Sequence, residues 1–313
     1  MSFMRDVNSD TGDMAAENKE YKQLPLFVDT TMLPTKKYHI SYSELSDWYE
    51  CSHRHKLKHV EKIDMDGPSI HTTFGSLLHD ALEQYVKTGK TPPIEEMHEK
   101  LKAGIASLMF TERAVSVEDS KEFFDAIEPL LEQAPKWLDE EFPGWKLVSA
   151  EEMLFEPIEG QKNKHFKGYI DLVIKVPKRK KGKGTRLSAI KGEVVPGEWV
   201  YWVIDWKTTN WGWRAEQKRS FQKHMQLIFY KHFWCTKHGI DLKDVRCGFA
   251  FLKRRPRKDG SRMDILTVSV GPKAVEKAMN VLHDCLNQIQ AGMSVKNKMS
   301  CRFCKYAGTP HCP

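Results

Sequence analysis

A carboxylate and an ammonium group stand two residues apart at the end of one apolar run in this chain. The run, Trp199 to Thr209, opens with six aromatic or β-branched residues, a composition that favours a buried strand. Because strand side chains alternate between faces, Asp205 and Lys207 share one face while Trp206 points into packing on the other. This aspartate can hold a divalent cation, and the lysine can orient a water or offset negative charge. A surface ion pair is the alternative interpretation.

A second carboxylate, Asp171, lies inside another strand pattern. The segments Lys146 to Pro157 and His165 to Val176 predict a hairpin, and Asp171 precedes the apolar residues of its second strand. A buried aspartate costs several kcal/mol unless it is paired or binds a metal. The polar, basic stretch from Pro177 to Glu198 predicts a loop to the Asp205 strand, so we expect the two carboxylates to lie close together.

Two helical patterns carry further candidate residues. Gly75 and His79 share one face of a helix that stops at Gly89, so a neighbouring group can approach the backbone beside the imidazole. A histidine buried in the core is the alternative. Gln226 and Tyr230 stand one turn apart on the helix that begins at Phe221.

Aromatic and basic residues are interleaved in several segments. Trp211 and Trp213 lie near Arg214, a combination that suits stacking on unpaired bases, although core packing is the commoner role of such tryptophans. Two basic blocks, 178–186 and 253–262, could contact phosphates or be solvated loops. Their candidate residues for DNA binding are Lys180, Lys181, Arg254 and Arg255.

The chain closes with three cysteines in twelve residues, Cys301, Cys304 and Cys312. Such spacing on a short polar tail indicates ligation of a soft metal, and Cys51 supplies a fourth thiolate. Four thiolates suit a 4Fe-4S cluster or tetrahedral zinc, and His311 is an alternative fourth ligand for zinc. The remaining cysteines are predicted to be buried packing residues: Cys235, Cys247 and Cys285.

Composition limits the class of protein. The chain has 313 residues, of which 40% are hydrophobic, and a net charge of +7 that is gathered in blocks and favours a polyanionic partner. It contains no apolar run of about 18 residues and no secretory signal pattern, so we expect no membrane association and a cytoplasmic location. We predict a flexible tail over 1–37 and one domain over 38–313, with a helical part over 41–141, a sheet over 146–270 and a terminal helix and cysteine tail over 272–313.

These motifs together resemble RecB-like nucleases of the PD-(D/E)XK superfamily, and most closely the iron-sulfur type that includes the CRISPR-associated RecB-like exonuclease and the AddB nuclease domain. The resemblance covers about residues 41–313 and depends on the order of six motifs. They are Ser-x-Ser-x-Leu followed by Cys51, Gly-x-x-x-His79, Gly-x-x-Asp171, Asp205-x-Lys207, Gln226-x-x-x-Tyr230 and the cysteine tail.

The resemblance implies an α/β fold with a restriction-endonuclease-like core, in which helices flank a mixed central sheet and a metal-cysteine site joins the two terminal segments. It further implies that Asp171, Asp205, His79 and the Trp206 carbonyl hold Mg²⁺ or Mn²⁺ and that Lys207 activates water. Gln226 and Tyr230 correspond to residues that position DNA. The implied function is an exonuclease that prefers single-stranded DNA in bacterial or phage recombination, repair or CRISPR-like processing, working in the bacterial host cytoplasm with a possible recombination or helicase partner. A non-catalytic DNA-binding or assembly factor with a vestigial site remains the alternative.

Overall fold

The structure, a computed structural model, describes residues 32–63, 65–108, 116–180 and 192–313. Its helices are α1 (Tyr42–Glu50), α2 (Ser52–His55), α3 (Ile70–Thr88), α4 (Ile94–Ala106), α5 (Val117–Glu141), α6 (Ala215–Arg219), α7 (Phe221–His238) and α8 (Pro272–Gln290). Its strands are β1 (His39–Ser41), β2 (Lys146–Pro157), β3 (His165–Arg179), β4 (Val194–Thr209), β5 (Val245–Lys253) and β6 (Met263–Val268). No described helix is long and apolar enough to cross a bilayer.

The strands form one mixed sheet around the long strand β3. One edge of β3 pairs antiparallel with β2 along most of its length. The other edge pairs with β1, in parallel, at 165–167, and with β4, antiparallel, from Leu172 onward. Beyond β4 the sheet continues through β5, parallel to β4, and antiparallel β6. Positions 168–171 of β3 therefore lie in a gap between two partner strands, and this gap is where the two predicted acidic strands separate.

Helices cover the two faces of the sheet with separate apolar clusters. On one face α1, α7 and α8 pack with buried residues such as Phe166, Val203 and Phe249. On the other face α3, α4 and α5 pack with Ile204 and Trp206. The alternation of β4 side chains between the two clusters places Asp205 and Lys207 on the α7 side, as the period-2 pattern predicted. This confirms the predicted mixed sheet flanked by helices.

Helix α1 connects α7 with the C-terminal tail. At its beginning the Tyr42 hydroxyl donates to the Gln222 carbonyl of α7 at 2.9 Å, and the Gln222 amide donates to Ser46 Oγ at 2.9 Å. At its end the Asn297 side-chain amide donates to the Glu50 carbonyl at 2.8 Å. The helix thus touches the elements that lead to both predicted metal sites.

The element boundaries differ from the sequence prediction at several points. Helix α3 begins at Ile70, before Gly75, because Ser69 forms a reciprocal capping box with Thr72. Helix α5 runs through both of its prolines without division. Leu33 is buried in the core, so the folded body begins before the predicted boundary at residue 37; residues 1–31 of the predicted tail lie outside the described residues.

Candidate active site

Asp171 and Asp205 face each other where β3 and β4 separate. The last residues of the two strands that pair are Leu172 and Ile204, so the two aspartates occupy the first positions beyond the ladder. In place of a ladder bond, the Trp206 backbone N–H donates to Asp171 Oδ2 at 2.6 Å. The predicted convergence of the two acidic strands is confirmed by this pairing.

Asp205 is almost fully enclosed, with 2% of its surface exposed. Gln226 Nε2 donates to its Oδ1 at 2.7 Å. Lys207 Nζ lies 2.6 Å from its Oδ2 and forms an ion pair with it. The ammonium group supplies the opposite charge that a buried carboxylate requires.

Gln226 and Tyr230 lie beside Asp205 in this structure, and the predicted role of the pair in positioning DNA stays a prediction. Gln226 Nε2 also donates to the Tyr230 hydroxyl at 3.2 Å, and Tyr230 is buried. The tyrosine ring lies so close to β3 that a Cβ on Gly168 would stand 2.7 Å from its Cε1. Gly168 of the Gly-x-x-Asp171 motif is therefore required, because any larger residue there would clash with the ring of Tyr230.

The point where β3 and β4 separate is called the fork here, and His79 reaches it from α3. Its Nδ1 lies 3.7 Å from Asp171 Oδ2, and its ring is hydrogen-bonded to the Trp206 backbone. Close packing of α3 on β4 makes this possible, since a Cβ on Gly75 would stand 3.3 Å from Thr208 Oγ1. His79 therefore lies beside the predicted carboxylates, and its role as a metal ligand stays a prediction.

Glu151 is a site residue that the sequence analysis missed. It stands on β2 at the position opposite Asp171, and its φ of 52° places it in the left-handed region, which is strained for a side chain of this kind. His79, Glu151 and Asp171 each offer one ligand atom, and these three atoms lie within 4.8 Å of one another. The available signal was its register in the predicted hairpin, which brings an acidic residue beside Asp171.

The electrostatics of this cluster favour a cation. Burial, followed by the charges of Asp205 and Glu151, raises the pKa of Asp171 well above its usual value. Burial and nearby carboxylates also raise the pKa of Glu151. Burial, reinforced by Lys207, lowers the pKa of His79 and keeps its imidazole neutral, the form that ligates metals. A neutral imidazole and several crowded carboxylates are an oxygen-rich donor set that fits Mg²⁺ or Mn²⁺.

A family model described as the PD-(D/E)XK nuclease superfamily matches residues 39–309. The chain belongs to the PD-(D/E)XK nuclease superfamily. A Eubacterium rectale protein of known crystal structure, described as "Putative exonuclease", is similar to it with 12% identity and a TM-score of 0.48, over 97% of this chain and 92% of that chain. No curated protein matches the chain.

Around this nuclease core the two candidate tryptophans have different environments. Trp213 packs on Phe249 and Phe251 with ring centroids 4.8 and 5.2 Å apart, so its role is in packing. Trp211 is 62% exposed on the turn that follows β4, and the guanidinium of Arg255 lies 5.2 Å from its ring centroid. Of these two tryptophans, only Trp211 is available to stack on a nucleotide base.

The predicted basic contacts of the nuclease are mostly engaged with acidic groups. Arg254 and Arg255 both pair with Glu122 of α5, and Arg254 is buried over the Phe123 ring. Lys180 is exposed and pairs with Glu193 at 2.8 Å. Lys181 and the rest of its loop through residue 191 lie outside the described residues. Lys223, which the sequence analysis did not select, lies beside the site, and burial together with Lys207 lowers its pKa.

The four cysteines of the predicted metal site line one cavity between the end of α1 and the C-terminal tail. The Asn297 backbone N–H donates to Cys51 Sγ at 3.3 Å. Among the described residues, no three of these thiols lie within 4.8 Å of one another. His311 is exposed and does not line the cavity. The other three cysteines are buried, and burial raises the pKa of each thiol, so their predicted packing role is confirmed: Cys235, Cys247 and Cys285.

Proposed function

We propose that this protein is a metal-dependent deoxyribonuclease that hydrolyses phosphodiester bonds at the fork between β3 and β4. The observation that carries the proposal is the cluster of His79, Glu151 and Asp171, whose ligand atoms lie within 4.8 Å of one another. The buried ion pair of Asp205 and Lys207 lies beside this cluster, and an ion pair with a purely structural role would not need it. A non-catalytic DNA-binding factor has no need for crowded carboxylates beside a lysine.

A Mg²⁺ or Mn²⁺ ion would be held by Asp171, Asp205 and His79, by Glu151, and by the Trp206 carbonyl. When bound, such an ion polarises a non-bridging phosphate oxygen and lowers the pKa of a bound water. The ion would also neutralise the carboxylates whose mutual repulsion raises the pKa of Asp171.

The protein side chains orient the reacting groups. Lys207 would direct the attacking water and place positive charge near the charge that develops on the phosphate. Gln226, which is bonded to Tyr230, donates to Oδ1 of Asp205, and Oδ2 pairs with Lys207 and would be available to a bound ion. Burial of the aspartate strengthens these interactions because little water screens them.

The proposed substrate is single-stranded DNA or a frayed DNA end, cleaved as an exonuclease does. Exposed Trp211 supports this choice, because an aromatic ring under a guanidinium group stacks on unpaired bases of any sequence. Action beside a recombination or helicase partner, in the cytoplasm of a bacterial host, is part of the same proposal.

We also propose that the four cysteines hold a 4Fe-4S cluster. The four thiols line one cavity, which brings together the ligands that such a cluster needs, one thiolate for each iron. Tetrahedral zinc is the alternative occupant of the same four thiolates. The cluster would bind the tail to α1 and act on stability, without taking part in hydrolysis.

Purified protein incubated with end-labelled single- and double-stranded DNA tests the nuclease proposal. With Mn²⁺ we expect progressive release of short products from single-stranded DNA, and none with EDTA. DNA binding without cleavage under all metal conditions would favour the non-catalytic alternative. Internal cuts in circular single-stranded DNA would contradict the exonuclease assignment.

A further inference from the structure

One face of β3 carries non-buried side chains in a line that ends at the active site. His165, Lys167, Tyr169 and Asp171 alternate with Phe166, Gly168 and Ile170, which are buried on the α7 side. Successive odd positions of a strand point to the same face. The line covers about 20 Å at the usual rise of a strand.

The two neighbouring strands extend this surface. On β2 Met153 stands opposite Tyr169 and Phe155 opposite Lys167, and on β1 His39 stands opposite His165. Met153, Phe155 and Tyr169 are 41–49% exposed, so no described helix covers them. We call this surface the open face; its residues are His39, Met153, Phe155, His165, Lys167 and Tyr169.

The aromatic groups of the open face are held in place by one another. Phe155 stacks on His165 with centroids 4.5 Å apart, and His39 meets the Phe155 ring edge-on at 5.7 Å. The Tyr169 hydroxyl donates to Met153 Sδ at 3.5 Å. Rings that are already fixed lose little conformational freedom when another planar group stacks on them.

The charge of the open face is positive. Lys167 Nζ lies 5.8 Å from the Tyr169 ring centroid and supplies this charge. Lys37, near His39, pairs with Glu44 at 3.2 Å and adds no net charge. Among the described positions that face this side of β1, β2 and β3, the only carboxylates are Glu151 and Asp171, at the active-site end. Aromatic rings interleaved with cations are the chemistry that binds single-stranded nucleic acid.

We propose that the open face is the track along which single-stranded DNA lies as it enters or leaves the fork. This inference rests on the proposed nuclease function and names the surface that would give it a preference for single strands. Proximity argues for it, since Tyr169 is two residues from Asp171 on β3 and Met153 is two residues from Glu151 on β2. The strands change face at this point, because Ile170 and Leu172 pack into opposite clusters and Glu151 has a left-handed backbone, so the open face ends beside the carboxylates. A strand whose bases stack on Tyr169 and Phe155 would deliver its phosphate directly to the carboxylates.

The test uses the full chain in EDTA, with fluorescence anisotropy of an oligothymidylate of about 20 nucleotides. We expect Tyr169→Leu to weaken binding about tenfold, because leucine keeps apolar area but removes the ring. Tyr169→Phe should stay close to wild type. Lys167→Ala should lower the slope of log Kd against log salt by the contribution of about one phosphate contact.

Lys175→Ala is the matched control for charge. Lys175 lies on the same strand beyond the fork and contacts the Trp199 ring, so its loss should leave the affinity and its salt dependence unchanged. If the wild-type protein cleaves no DNA but Tyr169→Leu still binds oligothymidylate more weakly, the nuclease function would be refuted and the track supported.

Three outcomes would overturn the track. Unchanged affinity of Tyr169→Leu for oligothymidylate would remove its main support. A dimer that becomes a monomer in this variant, with DNA affinity intact, would assign the face to protein association. Tighter binding of oligouridylate than of oligothymidylate, lost in the same variant, would assign the face to RNA.

Discussion

Asp171 Oδ2 accepts the Trp206 backbone N–H at 2.6 Å across the point where β3 and β4 part. One oxygen of the carboxylate thus completes the strand pairing that the backbone no longer makes. The side chain is fixed by the same sheet that separates it from Asp205, which gives the site its spacing without help from a flexible loop.

Loss of Asp205 or Lys207 should abolish hydrolysis and spare DNA binding. We expect Asp205→Ala and Lys207→Ala each to lower kcat at least about 10²-fold, since each removes charge that acts in the transition state. Single-turnover cleavage and anisotropy on the same DNA measure the two effects. Cleavage near the wild-type rate in either variant would refute the catalytic assignment.

Glu151 should contribute to metal affinity. Its carboxylate lies within 4.8 Å of the ligand atoms of His79 and Asp171, so Glu151→Gln should raise the Kd for Mn²⁺ about tenfold or more. Isothermal titration calorimetry measures this constant directly. Glu156→Gln, on the opposite face of the same strand, is the matched control; an equal loss there would show that Glu151 is not a ligand.

Asp171 should destabilise the metal-free protein at neutral pH. Its pKa is raised in the folded state, so its stabilising contribution is complete below the unfolded value near 4 and is lost as pH rises through the raised pKa. We expect Asp171→Asn to increase the free energy of unfolding in EDTA at pH 7 by about 0.5–2 kcal/mol. The gain should shrink toward pH 4 in thermal melts, and a variant less stable than wild type at pH 7 would contradict this account.

Glu152 should show the opposite dependence on pH. Although burial opposes it, hydrogen bonds from Lys237, Ser149, His238 and Trp234 lower the pKa of Glu152 to about 2. Its contribution is therefore present above the unfolded value near 4.3 and is lost as pH falls toward 2.

Glu152→Gln should cost about 1–2 kcal/mol of unfolding free energy at pH 7 because it weakens charge-assisted hydrogen bonds. Urea titrations at several pH values should show the difference from wild type closing below about pH 4. A difference that is constant across this range would mean that packing, and not charge, accounts for the loss.

The cysteine site should give the protein a colour. Anaerobically purified protein should be brown, and Cys51→Ala or Cys304→Ala should bleach it and reduce solubility. Cys247→Ala and Cys285→Ala should keep the absorbance, because these thiols are buried elsewhere. Colourless protein with stoichiometric zinc would refute the cluster and retain the metal link.

The sequence predicted the features that depend on local pattern. Alternation in β4 placed Asp205 and Lys207 on one face, and the hairpin and loop placed Asp171 beside them. It did not reveal Glu151. This residue has a left-handed backbone inside a strand, and its residue type does not predict that conformation.

Tertiary contacts account for the remaining differences. The sequence did not reveal the hydrogen bond from Gln226 to Asp205, because that contact depends on how Tyr230 of α7 packs against Gly168. Likewise, no local pattern pairs Arg254 and Arg255 with Glu122, which lies more than a hundred residues earlier.

Helix α1 connects the cysteine cavity with the helix that holds Asp205. Its first residue, Tyr42, is bonded to α7, the helix from which Gln226 holds Asp205, while the residue after its last turn is Cys51. If the four cysteines hold the proposed cluster, its loss would loosen α1 and, through Tyr42 and α7, the hydrogen bond that fixes Asp205. Iron starvation or oxidative damage would then slow hydrolysis although no residue at the fork had changed.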